Sequence, residues 1–370
     1  MEPAVDVSTL PQQAQRLLDP KTPAPLRTLG ARGIAPGLKP GEALTVVCLL
    51  AEGEDVHIAD MAKATLRSLP VPVLNGALTS ELPPGVLDVV APQFAGELTV
   101  MERILAHPNL LPSTVAKVAS HCSEPVSELI ATNEERLLKH PEIIEKLYMN
   151  RATRMSTTDR LIELAVRNGL ELTGIPAFKE AAQAIANELI AEPSEEASPG
   201  DRAFSDAITG IDIDDPNDEV FETDDEGREV VKPKHKEKAK RIQDMNISEK
   251  IRLSVLGNAS QRAILVRDSN RLVASAAAKS PAMGEQEAER IAQSRAVSDE
   301  VLKIVGEPFP KHYPIKYALT ENPRTPFAIA AKLIVMLRES ELKALSKSKN
   351  VSSAVSTAAK QHLSRREKRS

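Results

Sequence analysis

The chain has 370 residues and a 42% hydrophobic composition with no Trp, three Tyr, six Phe, two Cys and a formal net charge of −5. Core volume must then come from Leu, Ile, Val and Ala, which suit closely packed short helices, and two Cys without CxxC spacing point away from a disulfide framework or a zinc site. No run reaches the roughly 18 apolar residues that span a bilayer, and the start Met1-Glu-Pro-Ala-Val-Asp6 lacks the basic and apolar regions of a signal peptide, so a cytoplasmic protein is expected.

Residues 1–40 form a Pro/Gly-rich N-terminal segment with one short helix predicted around Leu10–Leu18 and stopped by Asp19-Pro20. From Gly41 the pattern turns helical: Leu44, Val47, Leu50, Ile58, Met61, Ala62, Leu66 and Leu69 recur at steps of three and four. Leu49 to Pro70 reads as two antiparallel helices joined at Gly53-Glu-Asp55. Short helices are predicted near Gly85–Val90, Glu97–Ala106, Pro112–Ser120, Pro125–Thr132, Pro141–Met149, Thr157–Asn168 and Ile175–Ile190. Pro112, Pro125 and Pro141 fit first turns, where a missing N–H costs nothing. Arg103-Ile-Leu-Ala-His107-Pro108 recurs as Arg136-Leu-Leu-Lys-His140-Pro141 after 33 residues, which marks an array whose units bury their apolar faces by stacking. His107 and His140 are expected to bond free carbonyls at equivalent helix ends.

The stretch Leu49-Leu-Ala-Glu-Gly-Glu-Asp55-Val-His-Ile58-Ala-Asp-Met-Ala62-Lys-Ala64-Thr-Leu66 resembles a HEAT-type repeat, with its inter-helix Asp and small-residue second helix. The shorter units resemble the leucine-rich-repeat-variant class. The resemblance implies a curved α-solenoid and a binding surface, and no catalytic residues.

Charge divides the chain further, at −6 for residues 1–190, −9 for 191–245 and +10 for 246–370. Residues 212–229 carry ten acidic side chains, and 232–241 carry six basic ones. Opposed charge blocks with few apolar anchors predict a disordered acidic-then-basic linker over 191–245. Beyond it, Ile291-Ala-Gln-Ser294-Arg295-Ala-Val297-Ser298 matches Leu345-Ser-Lys-Ser348-Lys349-Asn-Val351-Ser352 at a spacing of 54, each copy ending in a Ser placed to cap the next helix. Ala276–Pro281 aligns with Ala318–Pro323 at a spacing of 42. About seven helices are expected between Ser248 and Leu363. The predicted architecture is thus all-α: an irregular, HEAT-like helical repeat in two lobes, 41–190 and a basic lobe 246–366, joined by that linker and followed by a basic tail at 367–370.

Chemistry-bearing groupings are few. His57 with Asp60, and His121 beside Cys122, supply two of the three or four ligands a metal needs. Gly30-Ala-Arg-Gly33-Ile-Ala-Pro-Gly37 lacks phosphate-loop spacing and reads as a turn. Asp212-Ile-Asp214-Asp215-Pro216-Asn217 lacks the Gly and Glu of a calcium loop. Cys48 and Cys122 read as buried, inert thiols. No catalytic, cofactor-binding or metal-binding residue is nominated. The expected function is a non-enzymatic scaffold or adaptor for an unidentified protein partner, with Arg267, Arg271, Arg295, Lys347 and Lys349 as its contact surface beside inter-helix loops. The alternative is nucleic-acid binding through residues 246–370, autoinhibited by the acidic linker.

Overall fold

The computed structural model describes residues 5–186, 193–194, 196–209, 219–308 and 312–367. Among them lie 24 α-helices of 6 to 15 residues, three 3-10 turns and one antiparallel two-stranded hairpin. None of these helices is long and apolar enough to cross a membrane. Contacts divide the chain into two compact units, Met1–Leu161 with Arg167–Leu172, and Ile162–Val166 with Thr173–Ser370.

In the first unit, Pro40–Ala51 packs against Val56–Arg67 and Val71–Ala77, and Pro112–Ala119 against Glu142–Met149. Pro112 opens its helix and Pro125 lies in the first turn of Glu124–Ala131 as expected, whereas Pro141 sits just before helix Glu142–Met149, and Asp55 caps Val56–Arg67 by accepting from the Ile58 N–H at 3.3 Å. The Pro-rich start is more helical than expected. Ala24–Ala31 is a helix with Pro25 in its tolerant first turn, and it packs on Pro40–Ala51.

The second unit stacks Ile247–Leu256 on Arg271–Ala278, Arg271–Ala278 on Asp299–Gly306, and Glu285–Gln293 on Tyr313–Glu321. Nine helices lie between Ile247 and Glu367 where about seven were expected, because Gly257-Asn258 and Asp268-Ser-Asn270 split the run into capped short pieces. Ser298 and Ser352 do cap their helices, accepting from the amides of Val301 and Val355. Phe178–Ile185, read as the end of the first lobe, packs on Ile247–Leu256 and Arg271–Ala278, where Glu180 meets the Lys279 ammonium at 2.6 Å.

The stretch expected to be a disordered linker carries ordered elements in its described parts: helix Pro199–Thr209, strands Phe221–Thr223 and Glu229–Val231, and helix Lys236–Asp244. Composition averaged over a few well-spaced apolar anchors. Phe204, Ile208, Val220, Ala239 and Ile242 are all buried, and Phe204 lies under the guanidinium of the fully buried Arg252, 4.8 Å from its ring centre. Asp212–Asn217 and residues 368–370 of the basic tail lie outside the described residues.

One polar device recurs through the stacks. The Asn150 amide follows helix Glu142–Met149 and donates to the carbonyls of Ala119 and Cys122, 31 and 28 residues earlier, while its Oδ1 accepts from the Ala152 N–H. In the other unit, Asn322 donates to the carbonyls of Ala292 and Ser294, 30 and 28 residues earlier, and accepts from the Arg324 N–H. His107 does the same with a ring. Its Nδ1 accepts from the Asn109 N–H at 3.2 Å, and its Nε2 lies 3.3 Å from the Leu82 amide nitrogen and 3.1 Å from the Ser80 carbonyl, 25 and 27 residues back. His140 departs from the expected equivalence. It is part-exposed near Glu142, because a helix restarts there and removes the loop that would turn the ring inward. Arg136 of the second copy nonetheless donates to the Leu105 carbonyl of the first, at the end of helix Leu98–Leu105.

These staples satisfy buried carbonyls that the ends of short helices leave open. Asn150→Ala and Asn322→Ala are each expected to lower stability by about 2 kcal/mol, and the Asp variants by more, since a carboxylate would face two carbonyl oxygens. Urea unfolding followed by circular dichroism checks this, with the exposed Asn350→Ala as a control expected to change stability by less than about 0.5 kcal/mol.

Candidate functional site

Arg267 leaves the C-terminal turn of helix Ala259–Leu265 and folds back, its Nη1 donating to the Ala263 carbonyl at 2.8 Å. Its other donors, Nε and Nη2, reach one carboxylate oxygen of Glu229 at 2.8 and 2.7 Å. The guanidinium stacks on Phe221, 4.0 Å from the ring centre. Glu229 also accepts from the Ser294 hydroxyl at 2.6 Å and from the Arg295 N–H at 3.0 Å. Four donors from two helix ends thus converge on one side chain of the hairpin.

The hairpin is built for that contact. Phe221 pairs with Val231 and Thr223 with Glu229, and the turn between them is closed by Asp224, which accepts from the amides of Glu226 and Arg228, with Gly227 at φ +78°. An isolated two-stranded hairpin is marginal in water, so the Arg267–Glu229 clasp is what seats it on the helices. Burial opposes the charge on Glu229, but Arg267, Ser294 and the Arg295 N–H together hold its pKa below the usual glutamate range. Between hairpin and helices lies a cavity of about 230 Å³, bordered by Phe221, Glu229, Arg267, Arg290 and Ser294. That is smaller than the roughly 300–1,000 Å³ of most small-molecule pockets, so the geometry is that of a latch.

The five nominated cations fall in different places. Arg267 faces inward with 13% of its side chain exposed, which corrects its expected position on an open surface. Phe221 and Glu229 cover it, and a charge count along the chain has no means of showing a partner 38 residues away. Arg295 meets the same carboxylate through its backbone, and its side chain is exposed. Arg271 opens helix Arg271–Ala278, is exposed and is ion-paired with Glu300. Lys347 ends helix Glu339–Lys347, Lys349 follows it, and both are exposed. Ser294 entered the sequence reading only as part of a repeat, and Glu229 and Phe221 escaped it. Their signal was the apolar-polar alternation on either side of Asp224-Asp-Glu-Gly227, a hairpin pattern hidden within a charge block.

Two apolar surfaces complete the inventory. In the first unit a groove of about 510 Å³ is lined by Leu38, Val47, Leu69, Pro70, Val73 and Arg32, with Val73 half exposed. Gly33 and Gly37, both at positive φ, form the turn predicted there, and Gly33 borders the groove. In the second unit Phe327, Val335 and Met336 stand about half exposed.

Among the described residues no group of three or more His, Cys, Asp or Glu could hold a metal ion. The His121 ring sits 3.2 Å from the Pro92 carbonyl. Both thiols are buried as expected, and burial pushes Cys48 up to about 12 and Cys122 up to about 11. No known protein family, curated protein or solved structure matches this chain.

Two outcomes are expected. Glu229→Gln should cost about 2 kcal/mol at neutral pH. Because the folded pKa of Glu229 is depressed, its contribution is complete above the ordinary glutamate value and is lost as pH falls through the lower folded value. Thermal melts of wild type and variant should therefore converge in acid, and a gap independent of pH would contradict the clasp. Titration with a thiol-reactive chromogen at about pH 8 should leave both cysteines unlabelled in the native chain and count two after denaturation.

Proposed function

We propose that this chain is a non-enzymatic protein-interaction scaffold or adaptor built on helical repeats of the HEAT-like kind, acting in the cytoplasm on a protein partner. The observation that carries this reading is uncovered apolar surface on stacked helices, above all the first unit's groove beside Val73. Contiguous apolar surface of this kind marks interaction sites, and stacked repeats offer it on rigid elements. The helix pair joined at the Asp55 cap supports the HEAT-like description.

The nucleic-acid alternative draws on the positive balance of residues 246–370, but three of its arginines are turned inward. Arg252 and Arg262 are buried, and Arg262 holds Glu287 with two parallel bonds of 2.9 and 2.8 Å while also donating to the Gly257 carbonyl. Arg267 is clasped by Glu229. What stays outward, Arg271, Arg295, Lys303, Lys347 and Lys349 among others, is accompanied among the described residues of the second unit by a single exposed aromatic, Phe327, where base stacking calls for several interleaved with the cations.

Affinity capture with crosslinking, comparing wild type with Val73→Glu, tests the proposal. The expected result is a defined set of proteins crosslinked beside the groove, lost in the variant at unchanged helicity, with no retention of the full chain on duplex DNA or single-stranded RNA at low salt. Capture indifferent to Val73→Glu, together with nucleic-acid retention that falls steeply with salt, would overturn it.

A further inference from the structure

Helix Phe327–Ile334 reads Phe-Ala-Ile-Ala-Ala-Lys-Leu-Ile, apolar at every position but Lys332. A helix of that composition is normally covered all round. This one buries only Ala330 and Ile334, against the cluster formed by Leu337, Leu342, Leu345, Val355, Ala359 and Leu363. Val335 keeps helical dihedrals beyond its end, at φ −60° and ψ −28°. Phe327, Ala331 and Val335 therefore share one line at steps of four, and Ala328, Lys332 and Met336 share the next. Phe327, Val335 and Met336 are 49%, 52% and 57% exposed, which makes an uncovered apolar stripe about 14 Å long.

Cations flank it. Lys332 lies within the stripe, exposed and with no ion-pair partner among the described residues. On one side Lys316, from helix Tyr313–Glu321, places its ammonium 3.6 Å from the Met336 sulfur, and Arg338 stacks on Tyr313. On the other, Arg366 of the last helix anchors to the Val335 and Leu337 carbonyls. The neighbouring acids are engaged elsewhere: Glu339 pairs with Lys343, and Glu341 accepts from the Tyr313 hydroxyl.

We propose that this stripe docks an acidic amphipathic helix of a partner protein, whose apolar seam covers Phe327, Val335 and Met336 while carboxylates beside the seam meet Lys332, Lys316 and Arg338. Helix-in-groove recognition needs both parts, since apolar anchors supply the burial and the flanking charges set the register and choose the partner. A cation in the middle of the stripe matches a carboxylate on a facing helix. The inference rests on the scaffold reading but uses a surface other than the Val73 groove, so the two fail separately.

Fluorescence anisotropy of the full chain with a labelled designed helix of about 18 residues, Leu along the seam and Glu on both flanks, tests it. Met336→Glu should abolish binding. Lys332→Glu, an exposed change that disturbs no internal contact, should weaken it about tenfold, and a peptide with Lys in place of Glu should bind about tenfold more weakly than its acidic twin. Equal affinity for the two peptides, or none for the acidic one, overturns the proposal. So does Met336-dependent sedimentation with vesicles of about 30% phosphatidylserine in the absence of peptide binding, which would assign the stripe to a membrane surface. Concentration-dependent self-association lost in Met336→Glu would assign it to a second copy and would equally overturn the acidic-helix partner. Loss of capture in Val73→Glu with no peptide binding here would leave the scaffold standing and this partner chemistry refuted.

Discussion

The helices of this protein are too short to stand alone. Isolated helices below roughly 12 to 15 residues are marginal in water, and all but a few here fall below that length. Each must find its stability by stacking, and each stacking step brings the open carbonyls of a helix end into the interior. Asn150, Asn322 and His107 answer that constraint in the same way, reaching back 27 to 31 residues to satisfy carbonyls of the preceding layer while pinning their own following loop. Apolar stacking gives the array its energy, and these side chains fix where one layer sits on the next.

The same economy governs charge. Arg262 holds Glu287, Arg267 holds Glu229 and Lys279 holds Glu180, so acids and bases that look segregated along the chain are matched across the second unit. Removing one member of such a pair strands the other in a poorly solvated place, which is why the pairs act as fasteners. Net charge by segment therefore describes the chain poorly as a surface. The conspicuous apolar feature on the surface of the second unit is the stripe from Phe327 to Met336.

Much of the architecture was legible in local signals. Helical periodicity, Pro112 and Pro125 at first turns, the Asp55 cap and the Ser298 and Ser352 caps all act within one turn of the chain, and these stand as read. The 33-residue echo named two segments that do meet, through the Arg136 to Leu105 bond. It misjudged His140, because the two residues after His-Pro decide whether a loop or a new helix follows. The ordered elements at 199–209 and 221–244, within the stretch expected to be a linker, escaped notice for a related reason. Phe204, Val220, Ala239 and Ile242 are scattered singly among charges, and only the partners they meet, such as Arg252 far along the chain, make them a core. The clasp was half visible: Arg267 and Arg295 were singled out, while Glu229 was lost in an acidic block 65 residues from the Ser294 that binds it.

The claim that polar staples register the layers is tested most directly by native-state hydrogen exchange at the amides of Asn109, Ala152 and Arg324, which lie in loops and donate into the three staples. If the staples open only with the layers they join, these amides exchange as slowly as those of the helices on either side. Exchange at the rate of unprotected loop amides would contradict the account, leaving apolar stacking alone to set the register.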